Sequence, residues 1–312
     1  MRDESGTVTE TSSLERLAWQ LEVVKSFEDQ YGRESWAACS ATSELGGDDK
    51  ILDPFQTSHR VAHALGIALD ALRTARIIID GPAGIRVALV GQYPVLRTAM
   101  ESAALAMWLL QPDERANRLA RSIAASWDDV LHDVRLVTAS TEEDVSDTKA
   151  QRSDKNKIRR EHVQQVRATK KRIREVAHSA GISDDDYNRG LPGFGPIIRE
   201  SAEAVGVSGS HALGAWSAIS GLTHPSQART LMLSDMAISS TNGSVHTARL
   251  TARISMVAFA MDAAMLSFSG ALDLLARRSD DASVAWTPAS INLKLIPPRF
   301  RTVSNQSSCS EN

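Results

Sequence analysis

Cysteine is almost missing from this chain: Cys39 and Cys309 are the only two in 312 residues, and they lie far apart. A disulfide framework and a cysteine metal knuckle are thereby excluded, and a reducing, cytoplasmic setting is the expectation. Aromatic residues make up 5% of the chain and β-branched runs are short, which argues against a domain built from sheets. The opening MRDESGTVTETSS has neither the basic start nor the apolar run of a secretory signal, so export is not expected. Net charge is also small, −3 overall, while 42% of residues are apolar. That balance excludes a chain disordered throughout and leaves ample material for a core.

What is abundant is Ala, Leu, Arg and Met in long windows, the composition of helices. The predicted fold is all-α: a multi-helix bundle with a projecting antiparallel helical hairpin. After a disordered N-terminus (1–11), a first helix starts at Ser12 or Ser13 and ends near Tyr31-Gly32. Residues 33–56, with Gly46, Gly47 and Pro54, read as a long connection that Trp36 and Phe55 pin to the core. A helix over 58–79 stops at Asp80-Gly81-Pro82, and a nearly all-apolar helix over 93–110 begins at Tyr93-Pro94. The latter is predicted to be central.

Residues 112–180 read as the projecting hairpin. Its first helix carries Leu119, Ile123, Trp127 and Val130 on one stripe, and its second a narrow, coiled-coil-like seam of Val163, Val166, Ile173 and Ala177. Short helices from Pro196 and over 211–223 follow, then a long helix over 245–278. From Ile254 to Ala276 the only ionisable groups are Asp262 and Asp273. An Asp near a bilayer centre costs about 2.5–3.5 kcal/mol, so a buried bundle helix is expected and no membrane partner. Residues 279–312 read as a poorly ordered tail that docks Trp286 or Leu295.

Charge is distributed unevenly. Residues 148–178 hold eleven Lys and Arg against three acids, a net +8, and the first 53 residues hold five against twelve, a net −7. The basic helix invites a polyanion such as RNA through residues 149–174, or a match to the acidic N-terminal region in the same or another subunit. The basic residues read as surrounding the helix rather than lining one stripe, and no aromatic interrupts them for base stacking.

Several constellations carry possible chemistry. Arg172-Ile-Arg-Glu-Val-Ala-His178 resembles the signature of the HEPN family of helical nucleases. That resemblance implies metal-independent RNA cleavage, with His178 moving a proton and Arg172 stabilising the phosphorane charge; where the family commonly has a polar residue after the arginine, this chain has Ile173. Trp127-Asp-Asp-Val-Leu-His-Asp133 resembles the diphosphate-metal motif of class I terpene synthases, but its required second motif is absent. Asp129-x-x-His132 and Glu175-x-x-His178, with Glu101 and Asp262, supply the ligand types of a carboxylate-bridged di-iron bundle. No metal and no cofactor are predicted from these. The segment Gly190 to Pro196 lacks the Lys-Ser/Thr of a phosphate loop and reads as a connection.

Burial in a bundle would force Arg97, Glu101, Asp262 and His224 to pair, so one buried polar network of these four is expected, either structural or lining a small-molecule pocket. Trp216 to Pro225, together with Leu96 to Trp108, resembles uncharacterised all-helical proteins of actinobacteria, loosely akin to abortive-infection families; this implies a fold and no activity. The expected function is a non-catalytic interaction or regulatory module, homo-oligomeric or bound to a protein partner through its hairpin. A HEPN-like ribonuclease of a defence or toxin–antitoxin system is the alternative.

Overall fold

Apolar spacings of three and four residues wind most of the chain into helix, and the computed structural model describes residues 10–31, 39–82, 84–242 and 245–286. In chain order these are α1 (Glu10–Tyr31), α2 (Glu44–Leu52), α3 (Thr57–Ile79), a minimal pair β1 (Asp80–Gly81) and β2 (Gly84–Ile85), α4 (Gln92–Leu110), α5 (Arg115–Ser140) and α6 (Lys149–Ser179). Then come α7 (Phe194–Ala204), α8 (Gly209–Leu222), α9 (Gln227–Leu233), the hairpin β3 (Ser234–Asn242) and β4 (Val245–Ala252), and α10 (Ile254–Ser279). The all-α, multi-helix expectation holds.

Helix α4 is central, packed against α3 and α10 and, on its other flank, α7 and α8. Its Ala99, Ala103 and Ala106 are wholly buried, so the neighbouring backbones approach closely, while Met100 and Met107 fill the irregular gaps. Each large side chain sheltered in this way, such as Leu96 or Leu109, is worth about 1.5–3 kcal/mol relative to exposure. In α10, 56% of the most apolar window is buried inside the protein, although its length and composition alone would suffice to cross a bilayer.

The α5–α6 hairpin does project. Its foot has a separate apolar cluster in which Leu119, Ile123 and Trp127 meet Ile173, Val176 and Tyr187, while residues 142–165 are almost wholly exposed. Thr148 opens α6 with a reciprocal capping box to Gln151, and Gly181 at φ 72° ends the turn that follows it.

Three sequence expectations are corrected. The first helix begins at Glu10, slightly before Ser12. The supposed connection 33–56 contains α2, whose first turn is capped by Ser43 donating its own hydroxyl to Ser40 and accepting from the Gly46 amide. Gly46 is required because a Cβ there would overlap the Ser40 carbonyl oxygen.

The third correction concerns the helix expected over 245–278. It starts only at Ile254, because residues 245–252 pair as a strand with 234–242. Met236 faces Leu250 and Ile238 faces Ala248, an alternation with period two that the longer helical pattern masked. Arg253 closes the base by donating to Asp235 at 2.9 Å and to the Ser234 carbonyl at 3.0 Å. Of the tail, Trp286 docks edge-on against Phe27 at 4.9 Å between centroids and donates to Ser26. Trp36, Leu295, Cys309 and residues 1–9 of the expected disordered segment 1–11 lie outside the described residues, while Glu10 and Thr11 of that segment belong to α1.

Candidate functional site

Of the four residues expected to form one buried network, the structure joins two. Arg97 Nε donates to Glu101 Oε1 at 2.7 Å, one helical turn apart, and its Nη1 donates to Thr223 at 3.2 Å. Glu101 also accepts from the indole of Trp216 at 2.8 Å. Asp262 belongs to a different cluster: it accepts Arg16 Nε at 2.6 Å and Gln20 Nε2 at 2.5 Å, both from α1. His224 is exposed, since α8 stops at Leu222 and the residue before Pro225 leaves the helical path. The reason for the split is angular. Asp262 turns toward α1, whereas Arg97 and Glu101 face α8.

A second cluster repeats the pattern. Glu200 accepts from the Trp108 indole at 3.1 Å and from Arg121 Nη2 at 3.0 Å, with the guanidinium lying over the Trp108 ring. Burial holds the Arg121 pKa below its ordinary value, opposed by the charge of Glu200. In both clusters a carboxylate shared between an indole and an arginine ties α4 to a flanking helix. Trp216 stood in the segment already singled out by sequence; Glu200 carried no signal of its own.

The remaining motifs are dispersed. Asp128 accepts the Leu191 amide at 3.2 Å and lies 3.3 Å from His132, while Asp129 pairs with Arg60 at 2.6 Å. Arg60, Asp129 and His132 border a cleft of about 470 Å³ with His63 and Asp133, yet no group of three or more His, Cys, Asp or Glu among the described residues is arranged to hold a metal. The di-iron ligand types are engaged elsewhere, Glu101 by Arg97 and Asp262 by Arg16. Arg172 and His178 are both exposed on α6, about 120° apart around the helix axis, and Arg172 lies 3.8 Å from Glu175. The structure does not converge them.

The arm itself holds the clearest arrangement. With the buried side of α6 defined by Val166, Ile173 and Ala177, the exposed cations Lys149, Arg152, Lys157, Arg159, Arg160, Arg167, Lys171, Arg172 and Arg174 spread over an arc of about 220°. Lys149, Arg160, Arg167 and Lys171, spaced eleven, seven and four residues apart, share one line about 33 Å long. Among the described residues Lys149, Arg152, Lys157, Arg160 and Arg167 have no acidic partner, and Lys171 has only Glu175 at 3.9 Å. Among the described residues, three acids of the N-terminal region pair within the subunit: Glu28 with Arg76 at 2.6 Å, Glu44 with Arg278 at 2.6 Å and Asp48 with Arg118 at 2.7 Å.

The tip of the arm is closed by charge as well. Lys155 donates to Asp147 at 2.7 Å and to the Glu142 carbonyl, and Arg159 to the Thr141 carbonyl. The Lys155 hydrogen bond, then the Asp144 amide, hold the Asp147 carboxyl below its ordinary 3.8, and Ser146 does the same for Asp144. A depressed folded pKa stabilises above the unfolded value and is lost as pH falls through the folded one. The tip is therefore expected to stay closed at neutral pH and to open only below pH 3.8, which amide exchange of residues 142–155 against pH would show.

Compared with family models, with curated proteins and with solved structures, the chain matches none. Function is read from the geometry alone.

Proposed function

We propose that this protein is a non-catalytic cytoplasmic module that binds nucleic acid by its phosphate backbone, with the α5–α6 arm as the contact surface. The observation that carries this is the line Lys149, Arg160, Arg167 and Lys171, exposed on an arm that stands clear of the bundle. Duplex nucleic acid presents one charge per about 1.7 Å of axis, so a straight cationic line meets phosphates throughout its length. With no aromatic on α6 to stack bases, a duplex is the favoured form and binding is independent of sequence.

Four phosphate contacts imply an affinity that falls about a hundredfold between about 50 and 200 mM salt. Fluorescence anisotropy with a labelled RNA duplex measures this, and each of Arg160→Glu, Arg167→Glu and Lys171→Glu is expected to weaken binding and to reduce the salt slope by about one. No binding by folded protein at low salt, or equal binding by the triple variant, overturns the proposal. Degradation of RNA by the wild type but not by His178→Ala would put the nuclease reading in its place.

A further inference from the structure

Much of helix α10 is buried, yet its Phe259 and Leu266 are 46% and 57% exposed. Both border a cavity of about 290 Å³ between α4, α7, α8 and α10, whose walls include Met100, Met107 and Ala215. These walls are apolar and, through the two methionines, adaptable. Such a concavity, at the small end of the range for ligand pockets, takes a compact apolar body.

Arg16, Asp262 and His211 also line it, and their hydrogen bonding defines the head that fits. Both oxygens of Asp262 are occupied, Oδ2 by Arg16 Nε and Oδ1 by Gln20 Nε2. Its charge is therefore already matched. Arg16 uses only Nε in that pair; its two terminal nitrogens have no partner among the described residues, and neither has His211. The free capacity is mainly one of donors, led by a planar guanidinium edge. An ammonium head would meet this cation, and a hydroxyl would fill only part of the fork. A carboxylate accepts two parallel N–H bonds from it.

We propose that this cavity binds a small amphiphile with an apolar body and a single carboxylate head, held by the terminal nitrogens of Arg16. Calorimetric titration of the full chain with octanoate, octan-1-ol and octylammonium tests it, since the three probes share a body and differ in the head. Octanoate is expected to bind about tenfold tighter than either of the others. Arg16→Gln should reduce octanoate to the affinity of octanol while leaving octanol unchanged, and Ala263→Trp, which fills the cavity from α10, should abolish all binding in a protein whose circular dichroism is native. Equal affinity for octanoate and octanol, a preference for octylammonium, undiminished binding by Ala263→Trp, or no heat from any probe at about 1 mM would each overturn the proposal.

Discussion

Asp48→Ala is expected to lower stability by about 3–5 kcal/mol, the cost of leaving a buried charge without its partner. The Asp48 side chain is 0% exposed and that of Arg118 3%, with Nε to Oδ2 at 2.7 Å. Arg118 also donates to the carbonyls of Pro112 and Asp113 at 2.9 and 2.8 Å, so it is held in place and cannot follow its charge into water. Glu44 Oε2, 3.2 Å away, offsets part of the loss, which places the outcome toward the lower end. At this chain length each kcal/mol shifts Tm by about 1.5 °C, so thermal unfolding should move by about 5 °C. Arg115 contacts the same carboxylate, but its side chain is 53% exposed, and Arg115→Ala should cost no more than about 1 kcal/mol. Replacing Asp48 and Arg118 together by apolar residues of similar volume should recover most of the loss. Equal losses in Asp48→Ala and Arg115→Ala would contradict the assignment of Asp48 to the buried pair.

Trp127→Ala is expected to detach the arm. The indole is buried at the arm's foot, edge-on to Tyr187 at 5.5 Å, with Lys170 and Arg174 over its ring at 4.9 and 5.3 Å. Tyr187 is itself anchored by its hydroxyl donating to Asp184; burial first, then Asp184, push its pKa up to about 12. Truncation removes this contact surface and two cation–π contacts, about 3–5 kcal/mol in all. The loss should be local. Amide protection should fall along α5 and α6 and remain high in α4 and α10, because the arm's cluster is separate from the main core. Trp127→Phe should keep most of the packing. A uniform loss of protection across the molecule would show that arm and bundle unfold as one unit.

The periodic helices were legible in the residues alone. α3, α4 and α5 lie within a few residues of where apolar spacing and the Gly-Pro stop put them, and α6 ends at Ser179, beside the predicted hairpin boundary at 180. Partners were less so. Arg97 and Glu101, one turn apart on one helix, were read together and are together, whereas Asp262 was assigned to them and pairs instead with α1. Spacing within a helix defines a face, but which helix lies against that face depends on packing across the whole bundle. Arg278 is the extreme case. It donates to the carbonyls of Leu110, Gln111 and Pro112 and so closes the end of α4, more than 160 residues away, with nothing in its neighbourhood to announce it.

Apolar periodicity and caps therefore determined that this chain is helical, that α4 is its axis and that a basic helix is held out on an arm. Those are local properties, set by the 3.6-residue turn and by which side chains water rejects. Tertiary structure decided which cations stay unpaired, where α10 begins and what Asp262 meets. Long-range contacts govern these, since a charge is neutralised by whatever the fold brings beside it and a strand exists only where another strand lies next to it.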